Sequence, residues 1–387
     1  MNKKIVFVGF LALGFAFTPL KTQTWSSLKR LTWNPEPSRD VNIATNSGNT
    51  IHLVWEDAST ESHIFEIFYK RSTDRGTTWA ATRRLTWTNS QSFNPVIAAD
   101  SANNIHLIWE QNCSMNFEIY YKKSSNNGLS WSGNKRLTWN SGGSFTPSIG
   151  VDSSNHIYVV WSQGLPGNFE IYFKRSTNGG NSWVTKRLTW NTGTSGNPRI
   201  VIDSNDYIHV VWNDDSPGNH ELFYKKSING GSTWTSAKRL TWTSKTSWNP
   251  DITADSTGVL HVVWQDDVSG EKAIYYKKST NNGSTWVGTK RLTWGTDGSD
   301  QPVVASDSVN NVHVLWRKEI SGKWYIFYKR VNSSGIWGVT TRLTWYSNRI
   351  TYPDIAVDFS DTVHAVWEDD SPGNWEIFYK HELGNIL

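Results

Sequence analysis

Apolar and polar residues alternate along this chain in short runs, and the runs recur with a period of about 52 residues. Ile51-His52-Leu53-Val54-Trp55 is one such run, and its closing Trp recurs at Trp109, Trp161, Trp212, Trp264, Trp316 and Trp367. In the second repeat, residues 95–99 predict a first strand and residues 100–104 a turn. Residues 105–110 show the alternation of a half-buried strand, 117–124 predict a third strand, and 131–139 a fourth. Asn126-Asn127-Gly128, between the last two, is a turn sequence that tolerates positive φ.

Two further Trp series keep the same period. Arg-Leu-Thr-Trp ends at Trp33, Trp87, Trp139, Trp190, Trp242, Trp294 and Trp345, and another Trp stands eight residues before each of these, or seven in the case of Trp190. Four antiparallel strands per unit and seven units predict an all-β fold, a seven-bladed β-propeller of four-stranded antiparallel blades. Residues 24–33 hold only a fourth strand and residues 352–380 only the first three. The N-terminal strand is therefore expected to complete the last blade and close the ring, so that no blade edge is left unpaired there. Large aromatics dominate core burial, so the Trp series are expected to pack blade on blade. The His series (His52, His106, His209, His261, His313, His364) offers one ring per blade, which suits strand packing and not a tetrahedral metal site.

Composition changes this picture little. The 387 residues would allow two or three ordinary domains, but the repeat makes residues 24–380 one propeller. With 38 basic against 34 acidic residues and no basic run, nucleic acid is not an expected partner. Lys3 and Lys4 precede an apolar run ending near Leu13, with Gly14 and Ala16 behind it. Residues 1–16 are thus expected to be a signal peptide, 17–23 a short N-terminal segment and 381–387 a C-terminal tail. A secreted, cell-surface or periplasmic monomer follows, with no membrane span in the mature chain. Cys113 is the only cysteine, so no disulfide framework braces it.

Ser72-Thr73-Asp74-Arg75-Gly76-Thr77-Thr78-Trp79 resembles the Asp-box of bacterial neuraminidase (sialidase) repeats, S-x-D-x-G-x-x-W. Similar octapeptides end at Trp131, Trp183, Trp234 and Trp286 with Asn126, Asn178, Asn229 and Asn281 for the Asp, and a degenerate copy ends at Trp337. The resemblance implies the propeller fold and a structural hairpin away from the catalytic face. It also implies that a sialidase site would need three arginines on a carboxylate, a Tyr–Glu nucleophile pair and an Asp acid/base. Here the Phe/Tyr-Arg-Ile-Pro signature is absent, and the first-strand position reads Pro37-Ser38-Arg39-Asp40-Val41. Arginines that break the repeat are the catalytic candidates in that case: Arg39, Arg199, Arg317 and Arg349, with Arg39 and Arg349 in loops before first strands.

The other candidates follow the second-strand Trp, where acids and amides cluster before tight loops. Glu56, Asp57, Glu110, Asp214, Asp266, Glu368 and Asp369 are the acidic ones. Blade 6 departs from the series with Arg317 and Lys318, and adds Trp324 nearby. Such groups can bond sugar hydroxyls while an aromatic ring carries the sugar's C–H face. A non-catalytic glycan or glycoprotein binder is the favoured expectation, with no cofactor and no metal. A divergent sialidase-type exo-glycosidase and a protein-binding adhesion module are the alternatives. Paired carboxylates also leave calcium as a lesser reading.

Overall fold

The computed structural model describes residues 23–59, 63–113, 116–345 and 349–383. The expected signal peptide, most of the segment after it, and the last residues lie outside these. Seven antiparallel sheets form a ring, each with consecutive strands side by side. Blade 1 comprises Ser38–Thr45, Ile51–Asp57, Glu66–Ser72 and Arg83–Arg84. Blades 2 to 6 repeat it as far as Thr341–Arg342. Blade 7 contains Ile350–Val357, Val363–Asp369 and Glu376–Leu383. Its fourth strand comes from the other end of the chain: Thr24 and Trp25 pair with Leu383 and Glu382, and Lys29 and Arg30 with Tyr379 and Phe378. Closure by the N-terminal strand is therefore observed.

The fourth strand is much shorter than residues 131–139 would suggest, since only Lys135 and Arg136 join the blade 2 ladder. The cause is the Thr of Arg-Leu-Thr-Trp. Its hydroxyl accepts the third-strand N–H that a backbone carbonyl would otherwise take, as Thr138 does from Ile119 at 2.8 Å and Thr32 from Ile377 at 2.9 Å. The adjoining Leu is buried between blades, and the chain peels away at the Trp.

The three Trp series have different fates. Second-strand Trp55, Trp109, Trp161, Trp212, Trp264, Trp316 and Trp367 are buried in the inter-blade cores. The turn series is partly buried: Trp131 meets Tyr69 of the preceding blade edge-on at 5.3 Å, and Trp183 meets Tyr121 likewise. The Arg-Leu-Thr-Trp series does not pack inside at all, being 58–68% exposed. The expectation that all three series pack blade on blade is corrected for that series. It ends a strand that has already left the sheet.

On the face of the hairpin turns, polar groups bond within each repeat and to the next, as Asn46 does to Asn127 and Ser101 to Asn155. His106 shares bonds with the Tyr121 hydroxyl (2.9 Å) and Asp100 (3.0 Å), and His209, His261, His313 and His364 copy this. The His series is thus a set of hydrogen-bonded strand residues. The Tyr69 hydroxyl lies where a Cβ at Gly128 would stand, and Gly128 has φ +79°, so both contact and backbone demand glycine. Blade 6 has the shortened turn, nothing crowds Gly335, and a cavity of about 370 Å³ opens between blades 5 and 6.

The innermost strands surround the axis, each packed against those of both neighbouring blades. Every one carries a bulge, and the third residue adopts φ of 45–51°: Asp40, Asn94, Thr146, Asn197, Asn249, Gln301 and Tyr352. Pro follows in six of the seven, and Val41 in blade 1. Pro cannot donate to a ladder, which favours the bulge, and positive φ is unusual for Thr or Tyr. The bulge ring sits at the channel mouth, level with the ends of the second strands.

Candidate functional site

The two polar residues after each second-strand Trp have different roles. The second is a brace. Asp57 accepts hydrogen bonds from the Ser38 hydroxyl (2.7 Å), the Asn34 amide (2.5 Å) and the Trp55 indole (3.0 Å). Asp214 does the same with Ser195, Asn191 and Trp212, and Asp266 with Ser247 and Trp264. Asp369 accepts the Ser371 N–H at 2.8 Å. These carboxylates are buried and tie the second strand to the first. In blade 6 Lys318 takes this register opposite Ser299, and its ammonium donates to the Trp294 carbonyl at 3.4 Å.

The first residue of the pair crosses to the next blade and holds its bulge. Glu56 accepts the Asn94 N–H (3.1 Å), Glu110 the Thr146 N–H (2.7 Å), and Glu368 the Asp40 N–H. These bonds support the positive φ, since each gives the bulge N–H a charged acceptor. Blades 3, 4 and 5 have Ser162, Asn213 and Gln265 instead. The acids therefore gather on one side of the mouth, from blades 7, 1 and 2.

Crowding makes these acids weak. Burial pushes Asp40 up to about 6, partly offset by Glu56 and Arg39. Burial, with the Asp40 charge next, holds both Glu56 and Glu368 well above the usual carboxylate range. Glu110 is pushed up to about 7, chiefly by burial. The Tyr352 hydroxyl is raised to about 12 by the charge of Asp40, then by burial, Glu368 and Glu56. Asp40, Glu56, Glu368 and Tyr352 thus form one electrostatic unit, in which Glu56 and Glu368 hold their protons well above the usual carboxylate range while Asp40 gives its up near pH 6. Tyr352 is 50% exposed and Asp40 half-buried, whereas Glu56 and Glu368 are buried behind them. One carboxylate oxygen of Asp40 and the Nε of Arg39 have no hydrogen-bond partner among the described residues.

The arginines do not assemble as a sialidase triad requires. Arg39 lies within the first strand of blade 1 and not in the loop before it, with its guanidinium 5.7 Å from the Phe65 ring. Arg317 bonds Asp300 twice (2.5 and 3.2 Å) and the Ile350 carbonyl (3.0 Å), and stacks on Trp324 at 4.2 Å. Both favour the charged form of Glu368. Arg199 lies deeper along the axis, 3.9 Å from Asp251, whose carboxyl burial raises to about 6. Arg349 is exposed in the loop before blade 7, its N–H donating to Asp370 at 2.9 Å. Two of the four share the mouth, one lies below it and one outside. Among the described residues, no three of His, Cys, Asp and Glu are grouped as ligands of one metal ion.

Asp40 and Tyr352 were not singled out by sequence reasoning. Their signal is positional: each is the third residue of an innermost strand, and Tyr352 has the Pro353 that marks the bulge. Glu66, Glu118, Glu170, Glu221 and Glu376 prove structural, each paired with the Arg of Arg-Leu-Thr-Trp at 2.6–3.0 Å.

Fold and axial mouth together define a seven-bladed β-propeller with an acidic channel mouth. No protein-family model matches the chain, and no curated protein does. Solved structures share the fold at low identity. An ulvan lyase of polysaccharide lyase family 25 has a TM-score of 0.61 at 9% identity, covering 91% of this chain and 95% of its own. A protein of unknown function from Dyadobacter fermentans has a TM-score of 0.56 at 14% identity, covering 92% and 98%. The microbial sialidase Hz136 has a TM-score of 0.53 at 14% identity, covering 87% and 78%.

Proposed function

We propose that this protein is an exported glycan-binding propeller that takes its ligand at the mouth of the axial channel without cleaving it. The observation that carries this reading is the unit of Asp40, Glu56, Glu368 and Tyr352, in which the exposed Tyr352 and the half-buried Asp40 stand before buried, electrostatically coupled acids. Protonated carboxyls donate as well as accept, which suits sugar hydroxyls. Hydrolysis in the sialidase manner is disfavoured because the charge of Arg317 is already paired with Asp300, and the side chain is held by the Ile350 carbonyl and stacked on Trp324. Residues 1–16 support export, and a glycan or glycoprotein is the expected partner of the monomer.

A second reading, glycan cleavage, is favoured by one feature: a carboxyl raised to about 6 beside further acids is suited to act as a general acid. The test is a glycan array beside a hydrolysis assay on sialosides and uronic oligosaccharides, using the wild type, Asp40→Asn and Tyr352→Phe. Binding that both variants lose, with no product formed, supports the first reading. Product formation abolished by Asp40→Asn would replace it with the second. Retained binding in both variants would remove the axial mouth from consideration.

A further inference from the structure

The Arg-Leu-Thr-Trp run alternates in its environment. Leu31, Leu85, Leu137, Leu188, Leu240, Leu292 and Leu343 are buried between blades, while the Trp two residues on stands out at the rim. An indole 58–68% exposed in seven equivalent places does not serve the core, since the second-strand series already fills it. Each copy has the same company. A lysine from the third strand of the next blade lies 5.2–6.0 Å from the ring: Lys70 by Trp33, Lys122 by Trp87, and so on to Lys380 by Trp345. In five blades the Arg three residues earlier is within 5.6–5.9 Å as well.

The bonding of these cations is informative. Arg136 donates through Nε to the Thr138 carbonyl and through Nη2 to Glu118, so its charge is neutralised and Nη1 is left over. Arg84, Arg187 and Arg239 repeat this. The lysine is different, because its ammonium donates to a Leu carbonyl and not to a carboxylate; Lys70 bonds Leu31, Lys225 Leu188 and Lys277 Leu240. Burial lowers the pKa of each of these lysines, offset in part by Glu66 at Lys122 and by Glu118 at Lys174, so a positive charge is held beside each exposed indole against a standing penalty. An anionic group supplied from outside would relieve it.

We infer that the outer rim is a sevenfold binding surface for an acidic polysaccharide, with one subsite per inter-blade groove. At each subsite a sugar ring lays its C–H face on the Trp, and its carboxylate or sulfate meets the part-exposed Arg at its free Nη1, drawn also by the charge of the adjacent Lys, which is buried in five of the seven copies. One net charge per indole and one indole per blade suits a polymer whose charges are spaced by sugar units. A single-stranded nucleic acid offers a phosphate at every base and calls for denser cations. A bilayer calls for a continuous apolar face, whereas each of these indoles stands a blade away from the next and is bordered by cations. Repetition matters because seven weak sites on one ring bind a long chain far more tightly than any one alone. This surface is separate from the axial mouth.

Isothermal titration with polygalacturonate, with dextran as the neutral control, tests it on the full chain. The wild type should bind polygalacturonate and not dextran, with several uronic segments per protein. A Trp87→Ala, Trp139→Ala, Trp190→Ala triple variant should lose roughly tenfold or more in apparent affinity. Phe359→Ala, which removes an exposed ring (67%) outside both the rim series and the axial mouth, should leave that affinity unchanged, and the triple variant should keep any glycan-array binding that depends on Asp40, which separates failure of the rim from failure of the axial reading. Polygalacturonate should also shield the wild-type tryptophans from iodide quenching. Unchanged affinity in the triple variant with its unfolding midpoint intact, equal binding to dextran, or preference for poly(dT) or phosphatidylglycerol vesicles would each overturn the inference.

Discussion

The channel mouth and the outer rim are built from the same seven repeats, yet they use repetition in opposite ways. At the mouth the copies differ: Glu56, Glu110 and Glu368 on one side, Ser162, Asn213 and Gln265 on the other, and Arg317 between. The result is one asymmetric, acidic site. At the rim the copies agree, and each presents an exposed Trp beside a cation. A repeat fold can thus hold a single site where copies diverge and a multiple surface where they do not.

The largest expected effect breaks the frame that both regions share. Deleting residues 1–33 removes the strand that pairs with Glu376–Leu383, the buried Leu31 and the Arg30–Glu376 ion pair at 2.6 Å. The ring should open, with the melting temperature lowered by roughly 10 °C or more. A calorimetric scan that matches the full mature chain would refute closure as the source of stability.

Next in size is a contrast within one four-residue run. Leu137→Ala should cost about 2–5 kcal/mol in urea unfolding, since Leu137 is buried between blades. Trp139→Ala, two residues away and 68% exposed, should cost about 1 kcal/mol or less. Equal losses would mean that the rim indoles are structural after all.

Smaller effects come from pH, and the two regions should respond with opposite slopes. At the mouth, the folded pKa of Asp40 is raised to about 6, so the native state binds more protons than the unfolded one between about pH 4 and 6. Wild-type stability should fall relative to Asp40→Asn as pH rises through that window, and the difference should be constant below it. At the rim, burial lowers the Lys174 pKa, so above neutrality the unfolded state holds the extra proton. Wild-type stability should therefore rise relative to Lys174→Met as pH approaches 10, the smallest of these effects. Thermal melts of the three proteins at matched ionic strength decide both signs.

Much of the frame is legible in the chain itself. Three Trp series count the blades, and the lone fourth strand at one end beside three strands at the other predicts the closure seen at Lys29 and Arg30. The candidate site was half legible. Glu56 and Asp57 look alike in sequence, but alternation sends one to the next blade's bulge and the other into a brace with Ser38 and Trp55. Arg317 reads as a free cation until its partners Asp300 and Trp324 are seen.

What the sequence by itself determined is therefore the period, the blade count, the turn chemistry and the way the ring closes. These rest on local pattern and on counting, which survive without coordinates. Only the tertiary structure decided which tryptophans are core and which are surface, because a Thr hydroxyl ends the fourth strand early and turns the last residue of Arg-Leu-Thr-Trp outward. It also decided that Asp40, Glu56, Glu368 and Tyr352 act on one another electrostatically, since residues more than 300 positions apart meet only when the ring is shut.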